Sequence, residues 1–169
     1  PSYNTGRLLA DTVAHALEHW NEVLVVIDGS TDGSEKAVES MRATHPGLRV
    51  LKQPCNRGKG AAVLRGAEFA GAEGFTHVLT MDSDGQHPPD WIPKFIALIQ
   101  THPEAVLFGK PVFGPEAPLL RVRGRRISNA WSDIETLGWG IGDSLFGMRV
   151  YPVQPLLRAF RGTLFARRF

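Results

Sequence analysis

Two aspartates separated by one residue, Asp82 and Asp84, stand in the stretch F-T-H-V-L-T-M-D-S-D-G-Q-H-P-P-D at residues 75–90. Carboxylates held this close repel unless a cation neutralises them, and Mg²⁺ or Mn²⁺ takes oxygen ligands of this kind. Residues 75–81, just before them, are apolar and rich in strand formers. The absence of polar alternation predicts a strand buried on both faces of a parallel sheet. In open α/β sheets ligands bind beyond the carboxyl ends of the strands, which is where these acids fall. The bare D-x-D leaves a solvated Asp-Gly turn equally open, since both are ordinary turn residues. A calcium loop does not fit, because its later acid is missing at the required spacing.

Two more polar loops follow apolar runs. V-L-V-V-I at residues 23–27 leads into D-G-S-T-D-G-S, beginning at Asp28, and residues 48–51 lead towards N-R-G-K-G, with Lys59 near its end. Glycines let a backbone approach a ligand closely, and a helix start offers free N–H groups to a phosphate. Lys59 would add a point charge there. The G-K-G unit is not a P-loop, since the glycine spacing and the Ser/Thr after Lys are both missing. Taken singly, each loop reads as a plain connection. Three of them on one sheet edge, one carrying paired acids, favour a nucleotide diphosphate with a metal.

The elements that must position these loops alternate along the chain. Leu8, Leu9, Thr12, Val13, Ala16, Leu17 and Trp20 share one face of a predicted helix at about residues 6–20. Further helices are expected at about 35–43, from about 56 to 71, and after Pro88-Pro89, where Trp91, Ile92, Phe95, Ile96, Leu98 and Ile99 would face inward. A strand is expected at 105–108. This order predicts an α/β domain with a parallel sheet and right-handed crossovers. Residues 109–118 are Gly/Pro-rich, 119–137 regain helical spacing with Arg121 and Arg125 off the apolar stripe, and 143–151 form an acid-bearing loop with a short strand. No repeat or linker divides the 169 residues, so they form a single domain.

Hydrophobic content of 43% supports a globular chain with a real core. No apolar run is long enough to span a bilayer, and no signal peptide is visible. The lone Cys55 cannot close an internal disulfide, which points to a reducing, cytoplasmic setting. The net charge of +2 is unevenly spread: residues 1–120 carry 10 Lys/Arg against 14 Asp/Glu, and residues 121–169 carry 9 against 3. Such asymmetry marks an anionic partner or a solvated basic face. Little aromatic interleaving accompanies the arginines, which argues against nucleic acid. A sugar nucleotidyltransferase is a rival reading, but the glycine- and Lys/Arg-rich loop expected near its start is missing. A non-catalytic module binding anions through its arginine-rich C-terminal region is the other.

Five blocks in order, P-S-Y-N, I-D-G-S-T-D-G-S, N-R-G-K-G-A-A, M-D-S-D-G-Q-H-P-P-D and D-S-L-F-G-M-R-V-Y, resemble family 2 glycosyltransferases. The resemblance is to the branch of dolichyl- and polyprenyl-phosphate sugar synthases, and it covers almost the whole chain. It implies a GT-A fold, Rossmann-like with a mostly parallel central sheet flanked by helices. It also implies a nucleotide-diphosphate sugar donor, Mg²⁺ or Mn²⁺, and a polyprenyl-phosphate or other lipid acceptor reached by peripheral contact at the inner face of the membrane. Carried over by position, Pro1, Tyr3, Asp28, Lys59 and Asp82 would bind the nucleotide sugar. Asp84, with Gln86, would hold the metal. Asp143 would be the catalytic base or face the acceptor, and Arg121, Arg125 and Arg149 would bind the acceptor. Ile27 replaces the first acid of the usual D-D-G-S, and the last block is looser than the common S-G-F-R. The resemblance further implies a first strand preceding Pro1 and more chain beyond Phe169.

Overall fold

The computed structural model describes residues 1–110 and 146–161. Helix α1 (Leu8–His19) leads to strand β1 (Val23–Asp28), helix α2 (Glu35–Met41) to β2 (Leu48–Gln53), and helix α3 (Lys59–Ala72) to β3 (His77–Thr80). A 3₁₀ turn (Pro89–Trp91), helix α4 (Ile92–Thr101) and the short β4 (Leu107–Phe108) follow. After the intervening segment come β5 (Arg149–Pro152) and helix α5 (Val153–Arg161). The expected helix at 119–137, the loop at 111–118, and Arg121, Arg125 and Asp143 lie outside the described residues.

The alternating order yields the expected α/β layering, with one qualification about pairing. β1 and β2 form a parallel ladder from Val23 opposite Leu48 to Asp28 opposite Gln53. β3 and β4 do not join that ladder; both pair antiparallel with β5, which lies between them. β3 and β4 therefore run parallel to each other, as a crossover through α4 requires. The strand that separates them comes from the distant end of the chain and needs no crossover helix.

Three apolar clusters hold the layers. Leu9 and Val13 of α1 and Val38 of α2 close over Val25, Ile27 and Leu48 of the parallel pair. Ala16, Ile92 and Phe95 pack with Met148 and Val150 of the β5 region. On the other face Ala67 and Ala70 of α3 meet Val153 and Leu157 of α5. Small residues let α3 approach closely: a Cβ on Gly66 would stand 3.4 Å from the Val26 side chain, and one on Gly71 would stand 3.1 Å from Val153. Burying each such Val, Leu or Ile contributes about 1.5–3 kcal/mol.

Three expectations need correcting. The run before the paired acids is half-buried along its whole strand rather than buried on both faces, because its edge away from β5 has no ladder neighbour among the described residues. Trp91 and Leu98 are exposed, and only Ile92 and Phe95 of that helix are fully buried. Trp91 belongs to the 3₁₀ turn, whose tighter winding rotates it off the α4 stripe, and its ring lies under the Lys94 ammonium at 4.0 Å. Leu8 and Trp20 flank α1 at its two ends, and both are exposed.

The loop after β1 is shaped by backbone contact. Gly29 has φ of +69°, and a Cβ there would stand 2.7 Å from the Cα of Cys55. Gly74 has an equally left-handed φ of +84° but open space around it. Gly29→Ala is therefore expected to destabilise the domain by about 1–3 kcal/mol more than Gly74→Ala, since both carry backbone strain and only the first overpacks. Urea unfolding of the two variants measures the difference.

Candidate active site

The carboxyl ends of β1 and β3 open on one cleft of about 300 Å³, with the N-terminal segment and the turn before α3 as its other walls. Pro1, Tyr3, Asp28, Lys59, Asp82 and Asp84 all line it. Six of the residues expected to bind donor or metal are thus brought together from four separate stretches of chain.

The N-terminal wall is fixed by short-range polar contacts. Ser2 N–H donates to Val26 O and Asp28 N–H donates to Ser2 O, each at 2.8 Å, which docks Ser2 parallel to the end of β1. Asn4 Oδ1 accepts from Thr31 N–H at 2.8 Å, and Asp32 Oδ2 accepts from Gly6 N–H at 2.8 Å. Hydrogen bonds from Ser34, and then from Gly6, hold the Asp32 carboxyl below its usual pKa. Ser83 Oγ donates to Pro1 O at 3.0 Å, joining this wall to the acidic loop. Tyr3, half-exposed, stands at the rim.

Asp28 is 3% exposed, and its carboxylate is engaged with the chain. Oδ1 accepts from Gln53 Nε2 and Arg57 N–H, and Oδ2 accepts from Gly58 N–H, all at 2.9 Å. One acid thus ties the ends of β1 and β2 to the turn that starts α3. Gly58 takes φ of +89° there, and the first turn of α3 points towards the cleft. Ile27 beside Asp28 is buried in the sheet.

Asp82 sits at the centre. One carboxylate oxygen pairs with Lys59 Nζ; the other lies 3.7 Å from His87 Nε2. The buried His87 ring accepts the Asp82 N–H on Nδ1 at 2.9 Å, which places its ring proton on Nε2 facing that carboxylate. The His87 ring also meets the Phe146 ring edge-on at 4.5 Å. Gly147 lies directly against Asp82: a Cβ there would stand 2.7 Å from the carboxylate carbon. Asp84 is half-buried on the cleft wall, with Oδ1 accepting Gln86 N–H at 3.0 Å. Gln86 is exposed and is not among the described residues lining the cleft.

Arg149 is not among the described residues lining this cleft. Its Nε donates to Phe146 O at 2.8 Å, its Nη1 reaches Tyr151 Oη at 3.3 Å, and its guanidinium lies over the Phe108 ring. It braces the turn that presents Gly147 to Asp82. Sequence reasoning missed Gln53 and Gly147, and saw in His87 only a member of the D-G-Q-H-P block. Gly147 stood in a quoted block, but nothing in a sequence says which side chain a glycine makes room for.

The whole arrangement falls within a match to the model of "Glycosyl transferase family 2", which spans residues 1–160. The chain belongs to that family. It is 28% identical over 158 residues to polyprenol monophosphomannose synthase of Mycolicibacterium smegmatis, covering 89% of this chain and 59% of that protein. It is 24% identical to the UDP-N-acetylglucosamine–dolichyl-phosphate N-acetylglucosaminyltransferase of Methanococcus voltae, covering 100% of this chain and 73% of that one. Among solved structures, S. aureus TarS 1–349 in complex with UDP superposes with a TM-score of 0.59 at 22% identity, over 94% of this chain and 47% of that one. That likeness establishes the GT-A fold. The chain spans 59% of the length of the monophosphomannose synthase. Family membership places the chain with glycosyltransferases rather than with sugar nucleotidyltransferases.

Two substitutions test the construction of the site. Asp28→Asn removes one acceptor oxygen and places an NH₂ against a backbone N–H, so it is expected to cost about 1–3 kcal/mol of stability in urea unfolding. Gly147→Ala is expected to leave the fold intact while displacing Asp82. Nucleoside-diphosphate affinity should then fall by about tenfold, which is about 1.4 kcal/mol, in calorimetry.

Proposed function

We propose that the chain is the donor-binding portion of a metal-dependent glycosyltransferase that moves a sugar from a nucleotide-diphosphate sugar to a polyprenyl-phosphate or related lipid acceptor. The observation that carries this reading is the convergence of Asp82, Asp84, Lys59 and the start of α3 on one cleft. Two lipid-phosphate glycosyltransferases among its relatives support the acceptor class.

The donor set of the acidic loop suits a divalent cation. Asp84 and Asp82 offer hard carboxylate oxygens, and no cluster of three His, Cys, Asp or Glu side chains occurs among the described residues. That is too few ligands for a complete protein cage, and it matches Mg²⁺ or Mn²⁺, which takes one or two carboxylates and completes its shell with phosphate oxygens and water. Asp84, with Gln86 beside it, would hold the ion, and Asp82 would face the sugar or a metal-bound water. When bound, the ion supplies charge stabilisation to the departing diphosphate.

The chain's own groups divide the remaining work. The first turn of α3 directs N–H groups and the positive end of its dipole at the phosphates. Lys59, half-exposed and resting on Asp82, carries the movable positive charge that follows negative charge as it grows on the leaving group. An acceptor oxygen forms a bond to the anomeric carbon while the bond from that carbon to the diphosphate breaks, with inversion. A phosphate acceptor is already anionic and requires no base, so Asp143 would orient it and Arg121 and Arg125 would bind its charge. An alcohol acceptor would require Asp143 to take its proton.

Contact of the described residues with a bilayer surface would be peripheral. No helix among the described residues is long and apolar enough to cross a membrane. Arg158 and Arg161 are exposed in the last turn of α5 and belong to the basic region after residue 120. Each basic residue near an anionic surface contributes roughly 1 kcal/mol, an effect that fades with salt.

Calorimetric titration of nucleoside diphosphates with and without Mn²⁺ tests the reading. Mn²⁺ should tighten binding to the parent chain, and Asp84→Asn should abolish that gain while leaving the unfolding midpoint unchanged. Binding indifferent to Mn²⁺ in the parent, or a gain that survives in Asp84→Asn, removes the metal assignment.

A further inference from the structure

A ring of hydroxyls joins the N-terminal wall of the cleft to the acidic loop. Ser83, between the two acids, is half-buried and donates its hydroxyl proton to Pro1 O at 3.0 Å. A hydroxyl has a single proton to give. The contact between Ser83 Oγ and Thr5 Oγ1, at 3.3 Å, therefore has Thr5 as its donor. Thr5 has then spent its own proton, so Ser2 Oγ donates to Thr5 Oγ1. The bonds run in one direction, from Ser2 to Thr5 to Ser83 to Pro1, and the peptide bond between Pro1 and Ser2 closes the ring. Hydroxyls aligned in this way polarise one another, so loss of one member weakens the rest.

The ring is anchored at one end and carries a load at the other. Ser2 is buried, and its N–H and C=O are both bonded to the end of β1. Ser83 immediately precedes Asp84, whose Oδ1 accepts the Gln86 N–H of its own turn. Gly85 on the far side of Asp84 has φ of +75° and open space around it, so the loop can pivot there. On the near side the Ser83 hydroxyl fixes the loop to the wall that bears Tyr3. Asp82 is confined by Lys59, His87 and Gly147. The placing of Asp84 thus depends on residues 1–5 far more than the placing of Asp82 does.

Resting on the proposed donor site, we infer that Ser83 is a positioning residue that couples its two halves. A nucleoside seated against residues 1–5 steadies the Asp84 carboxylate through the hydroxyl ring, and a divalent ion on Asp84 steadies the wall that receives the nucleoside. Linkage makes the effect reciprocal. A diphosphate without a nucleoside reaches the ion and the start of α3 but not that wall, so the ring contributes nothing to its binding. One hydrogen bond in the ring supplies a coupling on the order of fivefold.

Calorimetry with the tighter-binding of UDP and GDP, and with pyrophosphate, tests this, each titrated with and without Mn²⁺. The proteins are the 169-residue chain, Ser83→Ala, Ser83→Thr and Thr5→Val. Comparing proteins for one ligand cancels chelation of the metal in solution. Ser83→Ala should cut the Mn²⁺ gain in nucleotide affinity by about fivefold and leave the gain for pyrophosphate unchanged. Ser83→Thr, which keeps the hydroxyl, should retain the nucleotide gain. Thr5→Val breaks the ring outside the acidic loop and should reproduce the loss, adding little when combined with Ser83→Ala. Should Ser83→Ala fail to fold, Thr5→Val carries the same comparison. An equal loss of nucleotide affinity with and without Mn²⁺ would overturn the coupling, since a merely structural hydroxyl has that effect. An unchanged nucleotide gain would overturn it too, as would a fall in the pyrophosphate gain, which puts Ser83 at the ion alone. If Mn²⁺ tightens neither ligand on the parent chain, the metal assignment itself fails and the coupling with it.

Discussion

The Asp28 carboxylate, buried at the end of β1, accepts three hydrogen bonds from two different parts of the chain. Charge-assisted bonds of this kind are the strong ones, and a buried carboxylate left short of donors would be costly. Its position therefore dictates where the Arg57-Gly58 turn sits, and with it the start of α3 and the Lys59 side chain. Lys59 in turn meets Asp82 across the cleft. From one satisfied acid, a chain of contacts runs through a turn and a lysine to the paired acids on the other strand.

Asp82 is held from three directions: by Lys59, by His87 beneath its backbone, and by the bare backbone of Gly147. The last of these reaches the site from more than sixty positions away, through β5 and the Arg149 brace. β5 lies between β3 and β4 and thereby connects the far end of the chain to the acidic loop. An acid so confined is set for one geometry. Asp84, held by one bond to its own turn, keeps more freedom to meet a cation.

Much of this was legible in the sequence. Apolar runs ending in polar glycine loops marked the strands, and the paired acids marked the cleft, because buried strands and turn chemistry are local properties. What escaped depended on distant contacts. Asp28 as an internal tie could not be read without knowing that Gln53 and Gly58 lie beside it. That Arg149 braces a turn could not be read either, since Phe108 approaches it from the neighbouring strand and Phe146 from the turn itself. The antiparallel insertion of β5 also escaped, since strand-helix alternation says nothing about a strand arriving from outside the alternation. The half-burial of β3 has the same origin, in an edge whose neighbour is decided by topology rather than by its own residues.

The most direct test of the central claim is anomalous diffraction from crystals grown with Mn²⁺ and a nucleoside diphosphate. An Mn²⁺ peak is expected within coordination distance of Asp84, with the diphosphate between it and the start of α3 and the nucleoside towards Tyr3. An ion bound away from Asp82 and Asp84, or a nucleotide outside the cleft between β1 and β3, would contradict it.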